Sequence, residues 1–177
     1  MAGLSGGSTQ EEVLAIALQK LELCPGDRVL DLGCGTGRVA VAVSGSAAEV
    51  IAIDRRPEAI ECARRVSIEA GANNIIFFEG EAADLLPSLG SFDVAFVGGT
   101  RGLSGFLPVL VAEVRRRIVV NAVLVETLHR TVSGMKELGV FREAIHVQCA
   151  RATPLAGSFY FRPIDPVFVI VGEGQCS

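Results

Sequence analysis

The sequence predicts an α/β fold in which a mostly parallel β-sheet of seven strands, the last one antiparallel, carries helices on both faces. Short apolar runs alternate with segments of helical periodicity along most of the chain, which implies parallel strands joined by helices. The last two strand-like runs, Ala144–Ala150 and Val167–Val171, have no helix between them, so we expect them to pair antiparallel. The 177 residues, half of them hydrophobic, fit one domain, which we place at residues 9–177 behind a flexible leader, residues 1–8.

The first elements follow from their boundary signals. Thr9-Gln10-Glu11-Glu12 has the Thr-x-x-Glu spacing of a capping box, and the apolar periodicity after it predicts a helix from about Gln10 to Leu23. Cys24-Pro25-Gly26-Asp27 ends that helix, and Arg28–Leu32 is predicted as a short buried strand. A glycine-rich loop and a helix from about Arg38 come next.

The same alternation continues to the last two strands, and no repeat or linker marks a second domain. Pro57 is typical of a first helical position. The predicted strands are Val50–Asp54, Ile75–Phe78, Phe92–Val97 and Ile118–Asn121, and the predicted helices are Pro57–Ala70, Phe106–Arg116 and Leu124–Leu138.

Composition disfavours several classes of protein. The longest apolar runs have the length of strands, and the N-terminal segment lacks a basic region followed by an apolar stretch, so we expect a cytoplasmic protein without a membrane partner. Five scattered cysteines without a C-x-x-C pair argue against a disulfide framework and against a metal site. A net charge of −4 and a pI near 5.2 disfavour a nucleic-acid partner.

The strongest motif lies between the first strand and the second helix, where glycines allow a sharp turn and a close approach to a ligand. The nicotinamide fingerprint G-x-G-x-x-G fails, because Arg38 stands at its third glycine. The remaining acidic-x-G-x-G-x-G pattern is similar to motif I of the class I S-adenosylmethionine-dependent methyltransferases; the alternative is a turn that merely joins strand to helix. The resemblance implies S-adenosylmethionine as cofactor, held at Asp31, Gly33, Gly35, Thr36 and Gly37.

Two further strand ends are candidate cofactor contacts. Asp54 closes its strand, where a carboxylate can accept both ribose hydroxyls, although it could instead be an acidic helix cap before Pro57. Gly80, Glu81 and Ala82 follow the third strand, where the related fold binds adenine; the alternative is a solvated acidic loop. Gly98, at the end of the fourth strand, completes the candidate cofactor set. No His or Lys lies near Cys34 in the sequence to activate it, so we interpret it as a small loop residue.

The chain resembles the cobalt-precorrin methyltransferase family over nearly its whole length. That family methylates carbon fifteen of the corrin precursor and decarboxylates its ring-C acetate during cobalamin synthesis, and the resemblance also implies a homotetramer. The Val-Gly-Gly-Thr loop and the Asn-Ala-Val-x-x-Glu-Thr-Leu segment are the particular motifs. The matching segments are Gly7–Val13, the motif I loop, Ala52–Ala59, Glu79–Ala82, Phe96–Thr100, Asn121–Leu128 and Asp165–Val167.

Two departures from the family pattern lie on the expected substrate side. A Lys-Pro-Gly-Gly turn usually precedes the fifth strand, but here the predicted helix runs through Arg115–Arg117 straight into Ile118. The Ser or Gly that usually follows the Gly-Gly pair is replaced by Thr100-Arg101. The fourth strand also lacks the Asn/Asp-Pro-Pro-Tyr of amino-group methyltransferases, and its glycine-rich end leaves room for a bulky substrate unless it is a plain turn.

A tetrapyrrole precursor carries many carboxylates, which an acidic protein can bind only with a local cluster of arginines. The candidate substrate residues are Gly99, Thr100, Arg101, Arg130 and Arg151, although a solvated surface position is the more common one for any single arginine. Asn121 and Glu126 follow the fifth strand and are candidate catalytic residues, with surface exposure of Glu126 as the alternative. Thr9 is either the helix N-cap or, by resemblance, part of a leader that folds over the cofactor.

Two other functions stay open from the sequence. An RNA methyltransferase of the adenine-N1 kind shares the expected fold, but the acidic pI counts against it. A non-catalytic cofactor-binding module is the other, motivated by the shortened loop before the fifth strand.

Overall fold

The structure, a computed structural model, describes residues 10–175, so the leader, Thr9 and the last two residues lie outside the part described here. The helices are α1 Glu11–Leu21, α2 Arg38–Ser44, α3 Pro57–Glu69, α4 Ala82–Leu89, α5 Leu103–Glu113 and α6 Val125–Glu137. The strands are β1 Arg28–Leu32, β2 Glu49–Asp54, β3 Ile75–Glu79, β4 Phe92–Val97, β5 Val114–Ala122, β6 Phe141–Val147, β7 Ala150–Leu155, β8 Ser158–Pro163 and β9 Val167–Glu173.

Seven strands form the main sheet in the order β3-β2-β1-β4-β5-β9-β6. The pairs from β3 through β5 are parallel, whereas β9 is antiparallel to both β5 and β6. The predicted fold class, a mostly parallel seven-stranded sheet with an antiparallel last strand, is therefore confirmed. The chain runs from β1 outward to β3 and then returns to β4, so a crevice opens at the carboxyl ends of β1 and β4.

Each face of the main sheet is covered by one layer of helices. Helices α1, α2 and α3 contribute Ala17, Val43 and Ala63 to the core on one face. Helices α4, α5 and α6 contribute Leu86, Leu107 and Met135 to the core on the other. Because the central strands are buried on both faces, they appear in the sequence as continuous apolar runs rather than as alternating patterns.

The start of α1 differs from the predicted capping box. Gln10, not Thr9, is the N-cap residue, and its side chain makes no capping hydrogen bond. The Glu12 carboxylate accepts two hydrogen bonds from Arg151 on β7, both at 2.6 Å. A tertiary ion pair therefore holds the carboxylate that the spacing assigned to the capping box.

The junction between α5 and β5 lies earlier than predicted. Helix α5 ends at Glu113 and β5 begins at the next residue, so Arg115, Arg116 and Arg117 belong to the strand. These arginines form ion pairs with carboxylates of neighbouring elements, among them Arg116 with Asp27 at 2.7 Å. The direct connection without an intervening turn is present as predicted, although the boundary was wrong.

One helix and one two-stranded hairpin were missed. Helix α4 has only eight residues and contains Pro87, which obscures its periodicity. Strands β7 and β8 form a separate two-stranded hairpin, where we predicted only Gly/Pro-rich connecting sequence. Its turn residues Ala156 and Gly157 have φ of 47° and 78°, the conformation favoured in tight hairpins, although alanine rarely adopts it. The strand expected to reach Ala150 ends at Val147.

Within residues 10–175, every helix is too short or too polar to cross a lipid bilayer. The same part of the chain contains no cluster of three or more His, Cys, Asp or Glu side chains arranged to hold a metal ion.

Candidate functional site

A cavity of about 450 Å³ opens at the carboxyl ends of the central strands. Most of the predicted cofactor and substrate residues line it, because parallel strands end at the same edge of the sheet. The predicted residues in its wall are Asp31, Gly33, Gly35, Thr36, Asp54, Gly80, Glu81, Ala82, Gly98, Gly99, Thr100 and Arg101.

The floor of the cavity is made where two glycine-rich loops touch. The N–H groups of Gly98 and Gly99 both donate to the Leu32 carbonyl, at 2.8 and 3.1 Å. A Cβ atom on Gly99 would lie 2.9 Å from the Gly33 Cα. The loop after β1 and the loop after β4 therefore pack backbone against backbone, which only glycine permits at these positions.

Gly37, predicted to contact the cofactor, is not part of the cavity wall. It is the N-cap of α2 with φ of 79°, and a Cβ there would approach the Ala63 Cβ on α3 to 2.9 Å. Gly37 therefore allows the start of α2 to pack closely against α3.

Asp31 is completely buried beneath the glycine loop. One carboxylate oxygen, Oδ2, accepts a hydrogen bond from the Ala40 N–H at 3.0 Å, and Oδ1 has no partner among the described residues. Burial raises the pKa of Asp31 to about 7, with a further contribution from the nearby negative charge of Asp54. A buried, unpaired oxygen in the cavity wall is suited to accept a hydrogen bond from a ligand.

Asp54 has a different environment, because its carboxylate is fully hydrogen-bonded. Its oxygens accept bonds from the Gly35 N–H at 2.9 Å and from the Arg56 N–H at 3.0 Å. The Arg56 side chain adds Nε at 3.0 Å and Nη2 at 3.1 Å. Burial opposes ionisation of Asp54, but these hydrogen bonds outweigh it and hold its pKa below the usual range.

Three arginines of the cavity wall were not predicted: Arg38, Arg55 and Arg56. Arg38 lies 3.5 Å from Glu11, and Arg55 lies 3.8 Å from Glu81. Their positions in the sequence could have predicted this, because Arg38 directly follows the glycine loop and the other two directly follow Asp54. Arg101, by contrast, was predicted and has no hydrogen bond or ion pair with any other residue of the described chain.

Cys34 also lines the cavity but is a buried thiol. Burial, together with the negative charges of Asp31 and Asp54, raises its pKa well above the ordinary thiol value. It stays protonated near neutral pH, in agreement with its interpretation as a small loop residue rather than a nucleophile.

The remaining predicted residues lie elsewhere. Arg130 lines a second cavity of about 330 Å³ between α5 and α6, and its Nε donates to the Glu126 carbonyl at 3.3 Å. Arg151 is bound to Glu12. Neither Asn121 nor Glu126 is part of the wall of the first cavity. Thr9 lies outside the described residues.

The loop after β5 exposes three consecutive aliphatic side chains beside the first cavity. Val123, Leu124 and Val125 are 63%, 61% and 64% exposed, and Val123 is part of the cavity wall. We call these three residues the aliphatic rim. Apolar side chains at such a rim are suited to contact an apolar ligand surface.

The chain matches the model of the precorrin methyltransferase domain over residues 4–172. It is 42% identical over 180 residues to a protein of Methanosarcina acetivorans named probable cobalt-precorrin-6B C(15)-methyltransferase (decarboxylating), covering 99% of this chain and 98% of that one. A precorrin-8W decarboxylase structure from Methanobacterium thermoautotrophicum aligns with a TM-score of 0.90 and 30% identity over 94% of this chain and 91% of that one. A precorrin-6Y C5,15-methyltransferase structure from Geobacter metallireducens gives a TM-score of 0.91 and 26% identity, with coverage of 99% and 94%.

Proposed function

Because the chain belongs to the precorrin methyltransferase family, we propose that it methylates carbon fifteen of a cobalt-precorrin and decarboxylates the ring-C acetate in cobalamin biosynthesis. The observation that carries this proposal is the 42% identity to a relative of that name over nearly the full length of both chains. The cavity at the glycine loop supports it, because it brings the candidate cofactor and substrate residues to one edge of the sheet.

The residues of the cavity fit S-adenosylmethionine, the methyl donor of the family. The unpaired Asp31 oxygen and the glycine loop would hold its amino-acid part, and Asp54 would hold the ribose. The segment Gly80–Ala82 would contact adenine. A volume of about 450 Å³ lies in the range of small-molecule sites.

The chemistry requires positioning more than acid–base catalysis. S-adenosylmethionine supplies, when bound, a methyl group already activated by its sulfonium. The chain must therefore align the acceptor carbon and fix the ligands, and such alignment can lower a barrier by several kcal/mol. We assign neither Asn121 nor Glu126 to this work, because they lie away from the cavity wall.

We propose that the macrocycle lies on the aliphatic rim with a carboxylate on Arg101. Arg101 is exposed, lines the cavity and forms no ion pair with any described side chain, so its guanidinium is available to an anion. Gly99 and Thr100 lie beside it. Arg130 in the second cavity is a candidate for another carboxylate arm, whereas Arg151 would first have to leave Glu12.

We also propose a homotetramer in the cytoplasm. The β7–β8 hairpin exposes Leu155, Phe159, Tyr160 and Phe161, and a lone two-stranded hairpin is only marginally stable in water. A second copy of the chain would cover these side chains. The free thiols of Cys24, Cys34, Cys62 and Cys149 support a reducing compartment.

The decisive experiment has two stages. Calorimetric titration of the purified protein with S-adenosylmethionine, and with NAD in parallel, should give micromolar binding of S-adenosylmethionine alone. Incubation with cobalt-precorrin-6B and methyl-labelled S-adenosylmethionine should then give a labelled product and release of carbon dioxide. Binding without turnover would favour the non-catalytic module, and salt-sensitive binding and methylation of transfer RNA would favour the RNA enzyme.

A further inference from the structure

The guanidinium of Arg56 forms an ion pair with Asp54 in the wall of the cavity that both residues line. Nε bonds one carboxylate oxygen and Nη2 bonds the other, at 3.0 and 3.1 Å, so that the two groups meet as a two-pronged pair. The Asp54 side chain is only 4% exposed, while that of Arg56 is 27% exposed. The arginine therefore forms the outer layer of this pair.

The four hydrogen bonds to Asp54 are not equally replaceable. A carboxylate offers about four acceptor positions, so the described bonds fill them. Two come from backbone N–H groups that the fold fixes. Gly35 belongs to the tight glycine loop, and the Arg56 peptide is the N-cap of α3, with its carbonyl bonded to the N–H groups of Ala59 and Ile60. Only the two bonds from the guanidinium can be exchanged without unfolding a turn.

A ribose presents its two neighbouring hydroxyls to a carboxylate in the same way as the guanidinium presents its two N–H groups. In both cases one donor group bonds one carboxylate oxygen and the second donor group bonds the other. We propose that Arg56 occupies the ribose-diol position on Asp54 and exchanges with the cofactor, so that it sets how tightly the enzyme holds S-adenosylmethionine and the demethylated product. This inference rests on the proposed cofactor.

The ion pair with Arg56 explains how the buried Asp54 carboxylate stays ionised before a ligand binds. Without a partner, the nearly inaccessible Asp54 would carry an uncompensated charge. Arg56 compensates that charge and must be displaced by each incoming ligand. The apparent Kd then equals the intrinsic Kd divided by the fraction of molecules in which Arg56 has left Asp54.

The neighbouring Arg55 provides a matched control. It lines the same cavity and carries the same charge, but its guanidinium lies 3.8 Å from Glu81. A change in ligand affinity that came only from the positive charge of the cavity would therefore be similar for the two arginines.

The test is calorimetric titration of the full chain with S-adenosylhomocysteine. We expect Arg56→Met to bind it roughly five-fold more tightly than the wild type, the factor that corresponds to losing one competing ion pair. Arg55→Met removes the same charge from the cavity wall without removing a partner of Asp54, so it should not bind more tightly than the wild type. Arg56→Lys keeps the charge but not the two-pronged geometry, so it should also bind more tightly, and it provides a second variant if Arg56→Met folds poorly.

An analogue of S-adenosylhomocysteine without the 2′ and 3′ hydroxyls separates the mechanism from a general effect. It does not compete for Asp54, so the gain from Arg56→Met should disappear with this ligand. Unchanged or weaker binding of S-adenosylhomocysteine to both Arg56 variants would overturn the inference. Failure of the wild type to bind it at all would overturn the proposed cofactor, and the inference with it.

Discussion

Asp54 is the residue that we propose to bind the ribose of the cofactor. We expect Asp54→Ala to weaken S-adenosylhomocysteine binding by one to two orders of magnitude, a total loss of about 1.5 to 3 kcal/mol, because the ribose hydroxyls lose a charged acceptor. Calorimetry on the variant measures this directly, with Asp84→Ala, an exposed position on α4, as the control. An unchanged affinity for Asp54→Ala would show that the ribose lies elsewhere.

Asp31 makes the stability of the empty protein depend on pH. Its pKa is raised to about 7 from 3.8, so between these values the folded state holds a proton that the unfolded chain has lost. Stability from this group is therefore complete below about pH 4 and is lost as the pH rises through 7, by on the order of 4 kcal/mol at most.

The variant Asp31→Asn removes this titration. Relative to the wild type, its free energy of unfolding in urea should increase between pH 4.5 and pH 8, because only the wild type loses stability over that range. Parallel curves for the two proteins over that range would contradict the assignment of this pH dependence to Asp31.

Arg101 lines the cavity, and we propose that it binds the substrate. Arg101→Ala should raise the KM for the cobalt-precorrin and leave the Kd for S-adenosylhomocysteine unchanged, since its guanidinium makes no hydrogen bond or ion pair with the described cofactor segments. Arg142→Ala is the control, because that arginine pairs with Glu173 at the opposite end of the sheet. If the variant instead loses the cofactor, the loop after β4 contacts the cofactor rather than the substrate.

At the scale of elements, the contact between the two glycine loops fixes the floor of the cavity. Gly99→Ala places a Cβ 2.9 Å from the Gly33 Cα and should lower stability by more than about 1 kcal/mol and weaken cofactor binding. Gly105 lies in α5, and a Cβ atom there would have no atom within 4 Å. Gly105→Ala should therefore raise stability by up to about 1 kcal/mol. Urea unfolding of both variants checks the opposite signs, and equal effects would contradict the argument.

The elements that the sequence predicted well are those whose apolar pattern is set by the core. Strands β1, β2 and β4 are buried on both faces, so their boundaries follow their apolar runs. The boundary between α5 and β5 could not be placed in this way. Three consecutive arginines are typical of a solvated helix end, and their ion-pair partners, such as Asp27, are distant in the sequence and come close only in the folded chain.

The site shows the same division. Asp31, Asp54 and Gly98 could be grouped in one cavity, because each lies at the carboxyl end of a parallel strand. The bond of Arg151 to Glu12 joins residues 139 positions apart, and no local pattern encodes it. The hydrogen bond from the Arg56 side chain back to Asp54 was also missed, although the two residues are only two positions apart, because their spacing predicts no particular rotamer.

At the scale of the whole molecule, the β7–β8 hairpin determines the predicted assembly. Replacing Phe159 and Phe161 by serine should convert a tetramer to smaller species, because both rings are more than 60% exposed in the single chain. Light scattering coupled to size-exclusion chromatography measures the mass. Ile68→Ser, at a 79% exposed position on α3, is the control and should leave the mass unchanged. A wild-type monomer would contradict the proposed assembly.

The position of β9 between β5 and β6 has a consequence for how the chain folds as the ribosome makes it. In the described sheet β6 pairs with β9 alone, and β5 pairs with β4 on its other side. Until residues 167–173 have emerged, β5 is an open edge and β6 has no strand to join. We therefore expect nascent chains stalled before residue 167 to aggregate. Once β9 is synthesised, it pairs with β5 and β6 in one step.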